Sequence, residues 1–158
     1  MTIAVTGHRP DKLNREWNMN GPLSKKIYQE LLKKIEHYKP TTLITGMALG
    51  VDILFANVAI NKKIPFIAAI PCKGQENKWS DSSQKLYRRI INDPLCSPYY
   101  VTEGRFKPNC MQLRNIWMCD RADLLIAVWD GSTGGTYNCV NYAVDKGLEI
   151  VRIDPNSL

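Results

Sequence analysis

The chain has 158 residues, of which 44% are hydrophobic, and its 21 basic and 15 acidic side chains give a formal net charge of +6. This length fits a single domain over residues 1–158 with a sizeable core. No apolar run approaches the ~20 residues that a membrane-spanning helix needs, so a membrane partner is excluded and a cytoplasmic globular protein is expected.

The excess positive charge lies in scattered pairs, such as Lys25-Lys26 and Arg88-Arg89, rather than in one basic stripe. Such charge is compatible with nucleic acid, but it fits anionic small ligands equally well. The five cysteines form no C-x-x-C pair and are expected to be free thiols. With only two histidines available, no metal site is expected.

Short apolar runs alternate with segments of helical periodicity along the whole chain. Strands are predicted at 3–6, 42–45, 66–70, 99–102, 124–129 and 149–153, and helices at 24–38, 50–61, 82–91, 109–121 and 136–146. Ser24, Ser82 and Asn109 are the expected N-caps of three of these helices. The alternation predicts an α/β fold: an open, mainly parallel sheet of about five to six strands with helices on both faces.

Two further expectations concern particular segments. The loop from Gly7 to Leu23 is unusually long and carries Arg9, Arg15 and Trp17, so it forms either a lid or a plain surface excursion. The fourth helix is expected to pack through Leu113, Ile116 and Trp117.

Glycine-bearing turns follow three of the predicted strands directly. They are Thr6 to Arg9, Thr45 to Asp52, and Asp130 to Thr136. Open α/β sheets bind ligands at the carboxyl ends of their strands. Glycine lets backbone N–H groups approach a phosphate, and a helix N-terminus adds about half a positive charge. The three turns therefore predict a nucleotide-type pocket.

The glycines of these turns allow two interpretations. Gly134, Gly135 and Thr136 present N–H groups and a hydroxyl to a phosphate at a helix N-terminus, or they form a tight turn that requires glycine. Gly46 and Gly50 admit a ligand between strand and helix, or they permit close helix–sheet packing.

The polar residues of the turns are equally open. Arg9 binds a phosphate or forms a surface ion pair, and His8 contacts the ligand or completes a turn. Asp52 accepts a ribose hydroxyl, or it stabilises the dipole of the helix that follows. Asp130 holds a ribose, a metal or a water. Trp79, like Trp17, is a stacking surface for a base or aromatic filler.

Several of these motifs resemble known families. Val5 to Arg9 resembles the opening strand and Gly-Ser-Arg turn of DNA-processing protein A (DprA), and Ile44 to Asp52 is similar to its Ser-Gly-x-Ala-x-Gly-Ile-Asp segment. Arg114-Asn115 resembles its Arg-Asn pair. Arg114, Met118, Asp123 and the loop Asp130 to Thr136 also resemble the LOG phosphoribohydrolases, which release cytokinin bases.

Both families belong to the SLOG superfamily of Rossmann-like nucleotide-binding proteins. The chain most resembles the stand-alone YpsA/YspA-like branch found in bacteria and phages, which it also resembles at Gly74-Gln75-Glu76-x-x-Trp79. The resemblance implies a Rossmann-like domain and a homo-oligomer. Together with the turns it gives these candidate ligand-binding residues: Gly7, His8, Arg9, Gly46, Gly50, Asp52, Arg114, Asn115, Asp130, Gly131, Gly134, Gly135 and Thr136.

The resemblance implies a function but leaves three alternatives. The first is a sensor or sequestering protein for a nucleotide-derived ligand, of the ADP-ribose, NAD-derived or nucleoside monophosphate type. The second is an N-glycoside hydrolase; here Cys139 replaces the catalytic Glu of the LOG enzymes, so Asp52, Glu76 or Asp130 would have to supply the carboxylate. The third, a DprA-like single-stranded DNA binder, is disfavoured by the scattered charge.

Overall fold

The computed structural model describes residues 1–15 and 18–158, and these build a six-stranded sheet in which all neighbouring strands are parallel. The spatial order is β4-β3-β2-β1-β5-β6. The strands are β1 (Thr2–Gly7), β2 (Thr42–Thr45), β3 (Phe66–Ile70), β4 (Cys96–Tyr100), β5 (Leu124–Val128) and β6 (Glu149–Ile153). The predicted α/β class with an open parallel sheet is confirmed, as is its Rossmann-like character.

Helices cover both faces of this sheet. They are α1 (Pro22–Tyr38), α2 (Val51–Lys62), α3 (Asp81–Ile91), α4 (Cys110–Arg121) and α5 (Gly135–Lys146), and single 3₁₀ turns occupy Pro10–Lys12 and Pro155–Ser157. Alternate residues of a strand point to opposite faces. Accordingly Ile3 and Val5 pack with α1, α2 and α3 in one apolar cluster, whereas Ala4 packs with α4 and α5 in the other.

The order of the strands reverses beside β1. From β1 the chain proceeds outward through β2, β3 and β4, and then returns to place β5 and β6 on the other side. The loops that follow β1 and β5 therefore run in opposite directions and leave a crevice above the carboxyl ends of the strands. Open α/β sheets bind ligands at such a switch point.

Two of the predicted N-caps are wrong. Helix α1 begins at Pro22 after Gly21, because proline fits the first helical position, and Ser24 lies buried inside its first turn. Helix α3 is capped by Ser80 rather than Ser82, since the Ser80 hydroxyl accepts a hydrogen bond from the Ser83 N–H at 3.3 Å. At α4, Asn109 is the N-cap residue, but its side chain makes no capping hydrogen bond within the described residues.

Strand β4 begins three residues before its predicted start. It pairs with β3 from Cys96 opposite Phe66 to Tyr100 opposite Ile70. As an edge strand it is mostly exposed and contains Pro98, which a central strand would not tolerate. Its sequence therefore lacks the apolar run by which the buried strands are recognised.

The predicted packing of α4 is confirmed for Trp117, which packs against the second apolar cluster, and is wrong for Leu113. Leu113 is 40% exposed, whereas Arg114, Asn115, Met118 and Cys119 are buried. The helix turns a guanidinium and an amide inward, which a search for apolar periodicity cannot anticipate.

Trp17 lies outside the described residues. None of the helices described is both long enough and apolar enough to cross a membrane. The homo-oligomer implied by the resemblance stays a prediction.

Candidate functional site

A cleft of about 330 Å³ opens at the carboxyl ends of the central strands, at the switch point of the sheet. We call it the main cleft. It is formed by the end of β1, the 3₁₀ turn after it, the start of α2, one face of α4, and the glycine loop that leads into α5. Its lining residues are Val5, Thr6, Gly7, His8, Arg9, Asp11, Lys12, Ala48, Asp52, Met111, Arg114, Asn115, Met118, Ser132, Gly134, Gly135 and Thr136.

Most of the predicted binding residues meet in this cleft. Those that line it are Gly7, His8, Arg9, Asp52, Arg114, Asn115, Gly134, Gly135 and Thr136. Gly46, Gly50, Asp130 and Gly131 are not among the lining residues. Residues from turns far apart in sequence are thus brought together as the strand-end argument predicts.

Three cationic side chains line the main cleft: Arg9 and Lys12 from the turn after β1, and Arg114 from α4. Lys12 was not predicted. Its ammonium group donates hydrogen bonds to the Ser132 hydroxyl at 3.0 Å and to the Thr133 carbonyl at 2.6 Å, so it reaches across the cleft to the glycine loop. The available signal was its position three residues after Arg9, in the long loop that follows β1.

The glycine loop presents a helix N-terminus to the cleft. Gly134 is the N-cap of α5 at φ 142°, a conformation that favours glycine, and no side chain of the described residues caps the helix. A Cβ at this position would lie 3.1 Å from the Lys12 ammonium group. The first N–H groups of a helix have no intrahelical acceptor, so this end of α5 is suited to an anion.

The floor of the cleft contains a buried arginine and a buried aspartate. The Arg114 guanidinium donates to the Gly46 carbonyl at 2.7 Å and to the Asn115 side-chain oxygen at 3.0 Å. The Asp52 carboxylate accepts a hydrogen bond from the Ala48 N–H at 3.2 Å. A Cβ at Gly46 would lie 2.7 Å from the Arg114 Cζ and 2.8 Å from the Asp52 Oδ2, so both charges press against this glycine.

Burial changes the ionisation of both groups. It raises the pKa of Asp52 above its ordinary value, although the nearby Arg114 charge acts in the opposite direction. It also lowers the pKa of Arg114, which the Asp52 carboxylate opposes. Each group thus stabilises the charged form of the other in a place where a lone charge would be costly.

His8 and Asp130 form a hydrogen-bonded turn beside the cleft. The Asp130 N–H donates to His8 Nε2 at 3.0 Å, and the Asp130 carboxylate lies 2.9 Å from the same nitrogen. Hydrogen bonds from Ser132 to the carboxylate lower the pKa of Asp130. Asp130 is thus hydrogen-bonded both to His8 and to Ser132 of the glycine loop. These contacts are those expected if His8 completes a turn.

Gly46 and Gly50 sit where close packing needs them. Gly46 lies directly beneath the Arg114 guanidinium. Gly50 is the N-cap of α2, and a Cβ there would lie 3.1 Å from the Arg9 Cα. The close contacts at both positions agree with the packing interpretation. Neither glycine lines the main cleft, but both allow residues that line it to pack closely.

The three candidate catalytic carboxylates differ in whether they reach the main cleft. Asp52 lines the main cleft, whereas Glu76 and Asp130 do not. One carboxylate oxygen of Glu76 is buried without a partner among the described residues. Cys139, at the position of the LOG glutamate, is fully buried with its sulfur 3.7 Å from that of Cys119. It is a core residue between α4 and α5.

Comparison with known proteins identifies relatives of this chain. The family model of the YspA SLOG family matches residues 3–155. The SPbeta prophage-derived protein YoqJ of Bacillus subtilis strain 168 is 35% identical over 147 residues, which cover 82% of this chain and 84% of YoqJ.

Solved structures share the fold at lower identity. DNA processing protein A (DprA) from Streptococcus pneumoniae is 19% identical with a TM-score of 0.71, over 97% of this chain and 50% of that one. The molybdenum cofactor binding protein from Rippkaea orientalis is 19% identical with a TM-score of 0.59, over 99% of this chain and 78% of that one. This chain therefore spans only half of the solved DprA chain.

Proposed function

The chain belongs to the YspA SLOG family, and from that premise we propose that it binds a nucleotide or nucleotide-derived ligand in the main cleft, as a sensor or sequestering protein. Nucleoside monophosphates and ADP-ribose-like or NAD-derived molecules are the proposed ligand class. The phosphate would lie at the N-terminus of α5, near Gly134, Gly135 and Thr136, with Asp52 on the sugar side.

One observation carries this proposal: three cationic side chains converge on a cleft that also contains an uncapped helix N-terminus. Arg9 follows β1, Lys12 lies in the 3₁₀ turn, and Arg114 belongs to α4. Two acidic residues, Asp11 and Asp52, also line the cleft, so its lining keeps an excess of positive charge that an anionic ligand can compensate. Arg114 is balanced by Asp52. Lys12, by contrast, bonds only neutral oxygens among the described residues, so it is the natural partner of a phosphate.

Removing the Lys12 charge is expected to weaken AMP binding. In the variant Lys12→Ala, the dissociation constant for AMP should rise about tenfold or more, because a hydrogen bond to a charged group contributes about 1.5–3 kcal/mol. Isothermal titration calorimetry at fixed ionic strength measures this change.

Lys26→Ala is the matched control, since it removes the same charge from an exposed position on α1. Its affinity for AMP should remain that of the unaltered chain. An equal loss of AMP affinity in Lys12→Ala and Lys26→Ala would mean that the net charge of the protein, and not the main cleft, attracts the ligand.

Hydrolysis of an N-glycosidic bond is the second candidate, favoured by the buried Asp52 carboxylate in the cleft. Water would add across the bond in AMP to give adenine and ribose 5-phosphate. We expect no adenine in chromatograms after long incubation, because Asp52 is engaged by Ala48 and Cys139 cannot replace a glutamate. Adenine release that disappears in Asp52→Asn would establish the hydrolase instead.

Binding of single-stranded DNA is the third candidate, since the fold is shared with DNA processing protein A. A nonspecific DNA groove needs connected positive charge and stacking aromatic residues. Here Lys25-Lys26 lies on α1 and Lys62-Lys63 at the end of α2, both outside the residues that line the main cleft. Competition of oligo(dT) against AMP distinguishes the two ligands, and we expect no displacement at physiological salt.

A further inference from the structure

A second, smaller cavity of about 190 Å³ adjoins the main cleft. We call it the side chamber. Arg9, Asp11 and Met111 line both spaces and so form their common wall. At this wall the Arg9 guanidinium lies 3.7 Å from the Met111 sulfur. The two spaces are therefore neighbours, divided by the side chains of Arg9, Asp11 and Met111.

The side chamber differs from the main cleft in its chemistry. Beyond the shared wall it is lined by Pro10, Leu49, Gln75 and Trp79, so its surface is mainly apolar and includes one large aromatic ring. The Trp79 indole is half-buried and packs edge-on against Tyr87, with ring centroids 5.4 Å apart at 87°. This contact restrains the indole in a fixed orientation.

The two spaces also share a structural element in their floors. The Gly46 carbonyl accepts one hydrogen bond from Arg114 at 2.7 Å and another from the Gln75 amide at 3.3 Å. Gln75 belongs to the wall of the side chamber and Arg114 to that of the main cleft. The segment that carries Gln75 and Trp79 is thereby held in a defined position relative to the proposed phosphate site.

We propose that the side chamber is the subsite for the base of the ligand, with Trp79 as its stacking surface. This inference rests on the proposed function, because it assigns the second half of a molecule whose phosphate lies at the N-terminus of α5. A flat, weakly polar ring matches an indole, a leucine and a methionine side chain better than a second charged group does. Recognition through ring faces tolerates different base edges, so AMP and GMP should bind with similar affinity.

The test compares AMP with ribose 5-phosphate, which carries the same phosphate and sugar but no base. AMP should bind about 5- to 150-fold more tightly, the range expected for one base stacked on an aromatic side chain. Trp79→Ala should remove most of this difference and leave the affinity for ribose 5-phosphate unchanged. Trp79→Phe, which keeps an aromatic ring, should retain most of it.

Fluorescence supplies a second readout that does not depend on the alanine variant folding. Because Trp129 is bonded to the glycine loop, both ligands can change the tryptophan emission; AMP should cause a larger change than ribose 5-phosphate, and Trp79→Phe should abolish that difference. Equal affinities for the two ligands, or an unchanged preference for AMP in Trp79→Ala, would overturn the side chamber as a base subsite. Ribose 5-phosphate binding that depends on Lys12 would then still support the proposed function, whereas no binding of either ligand would defeat both.

Discussion

Replacing Arg114 by methionine is expected to lower the free energy of unfolding by about 3 kcal/mol near neutral pH, because the buried Asp52 carboxylate loses a nearby compensating charge and the buried Gly46 carbonyl loses its hydrogen-bond donor. Methionine fills similar space, so the loss comes from the missing charge and hydrogen bond rather than from a cavity. Arg114 is 6% exposed and Asp52 7% exposed, so water that enters from the main cleft can replace the missing guanidinium only in part. Chemical denaturation monitored by circular dichroism measures the change.

The double variant Arg114→Met with Asp52→Asn is the control, since it removes both charges. It should recover part of the lost stability, because no uncompensated buried carboxylate remains, whereas the Gly46 carbonyl still lacks its hydrogen-bond donor. A double variant as unstable as Arg114→Met alone would show that the charge of Asp52 is not what the guanidinium compensates.

The deficit of Arg114→Met should also depend on pH. Burial raises the folded-state pKa of Asp52 above its unfolded value, and loss of Arg114 raises it further. A group of this kind favours folding while it is protonated, and that contribution is lost as the pH rises through its folded-state pKa. The stability difference from the unaltered chain should therefore shrink as the pH falls toward about 4, the ordinary pKa of an aspartate.

Gly46→Ala is expected to cost about 1–3 kcal/mol of stability, the range for overpacking a filled interior. The new methyl group would lie 2.7 Å from the Arg114 Cζ and 2.8 Å from the Asp52 Oδ2. Both groups are buried and hydrogen-bonded, so neither moves aside without breaking a contact. AMP affinity should fall together with stability, because Arg114 also lines the main cleft.

Gly135→Ala serves as the matched glycine control. No atom lies within 4 Å of a Cβ at Gly135, and the substitution keeps the backbone N–H at the start of α5. Stability should stay the same or rise by up to about 1 kcal/mol, since alanine is the better helix former. If Gly46→Ala were tolerated as well as Gly135→Ala, the account of a tightly packed floor would be wrong.

The buried strands could be predicted from sequence because burial on both faces leaves an uninterrupted apolar run. The bounds of β2, β3 and β6 match their predictions. Strand β4 could not be placed as well, because an edge strand that exposes most of its residues has no such run. The buried face of α4 could not be fully predicted from apolar periodicity, because it includes two polar residues, Arg114 and Asn115, that line the main cleft.

The sequence predicted those residues of the candidate site that directly follow the end of a strand. A parallel sheet brings the turns after β1 and β5 to one edge, which is why Arg9 and Gly134 could be grouped from sequence. Lys12 could not, since its place depends on the path of the 3₁₀ turn that carries it across to Ser132 and Thr133. The side chamber likewise arises from contacts between separate loops, which spacing along the chain does not reveal.

Nuclear magnetic resonance titration of ¹⁵N-labelled protein with AMP tests the central claim most directly, because it reports on each backbone N–H separately. The account predicts chemical-shift changes for four amides, and all four should fit the same dissociation constant. These are the amides of Gly7, Gly134, Gly135 and Thr136. Shifts confined to distant surfaces such as the Lys25-Lys26 region of α1, or no shifts at all, would contradict an anion site at the start of α5.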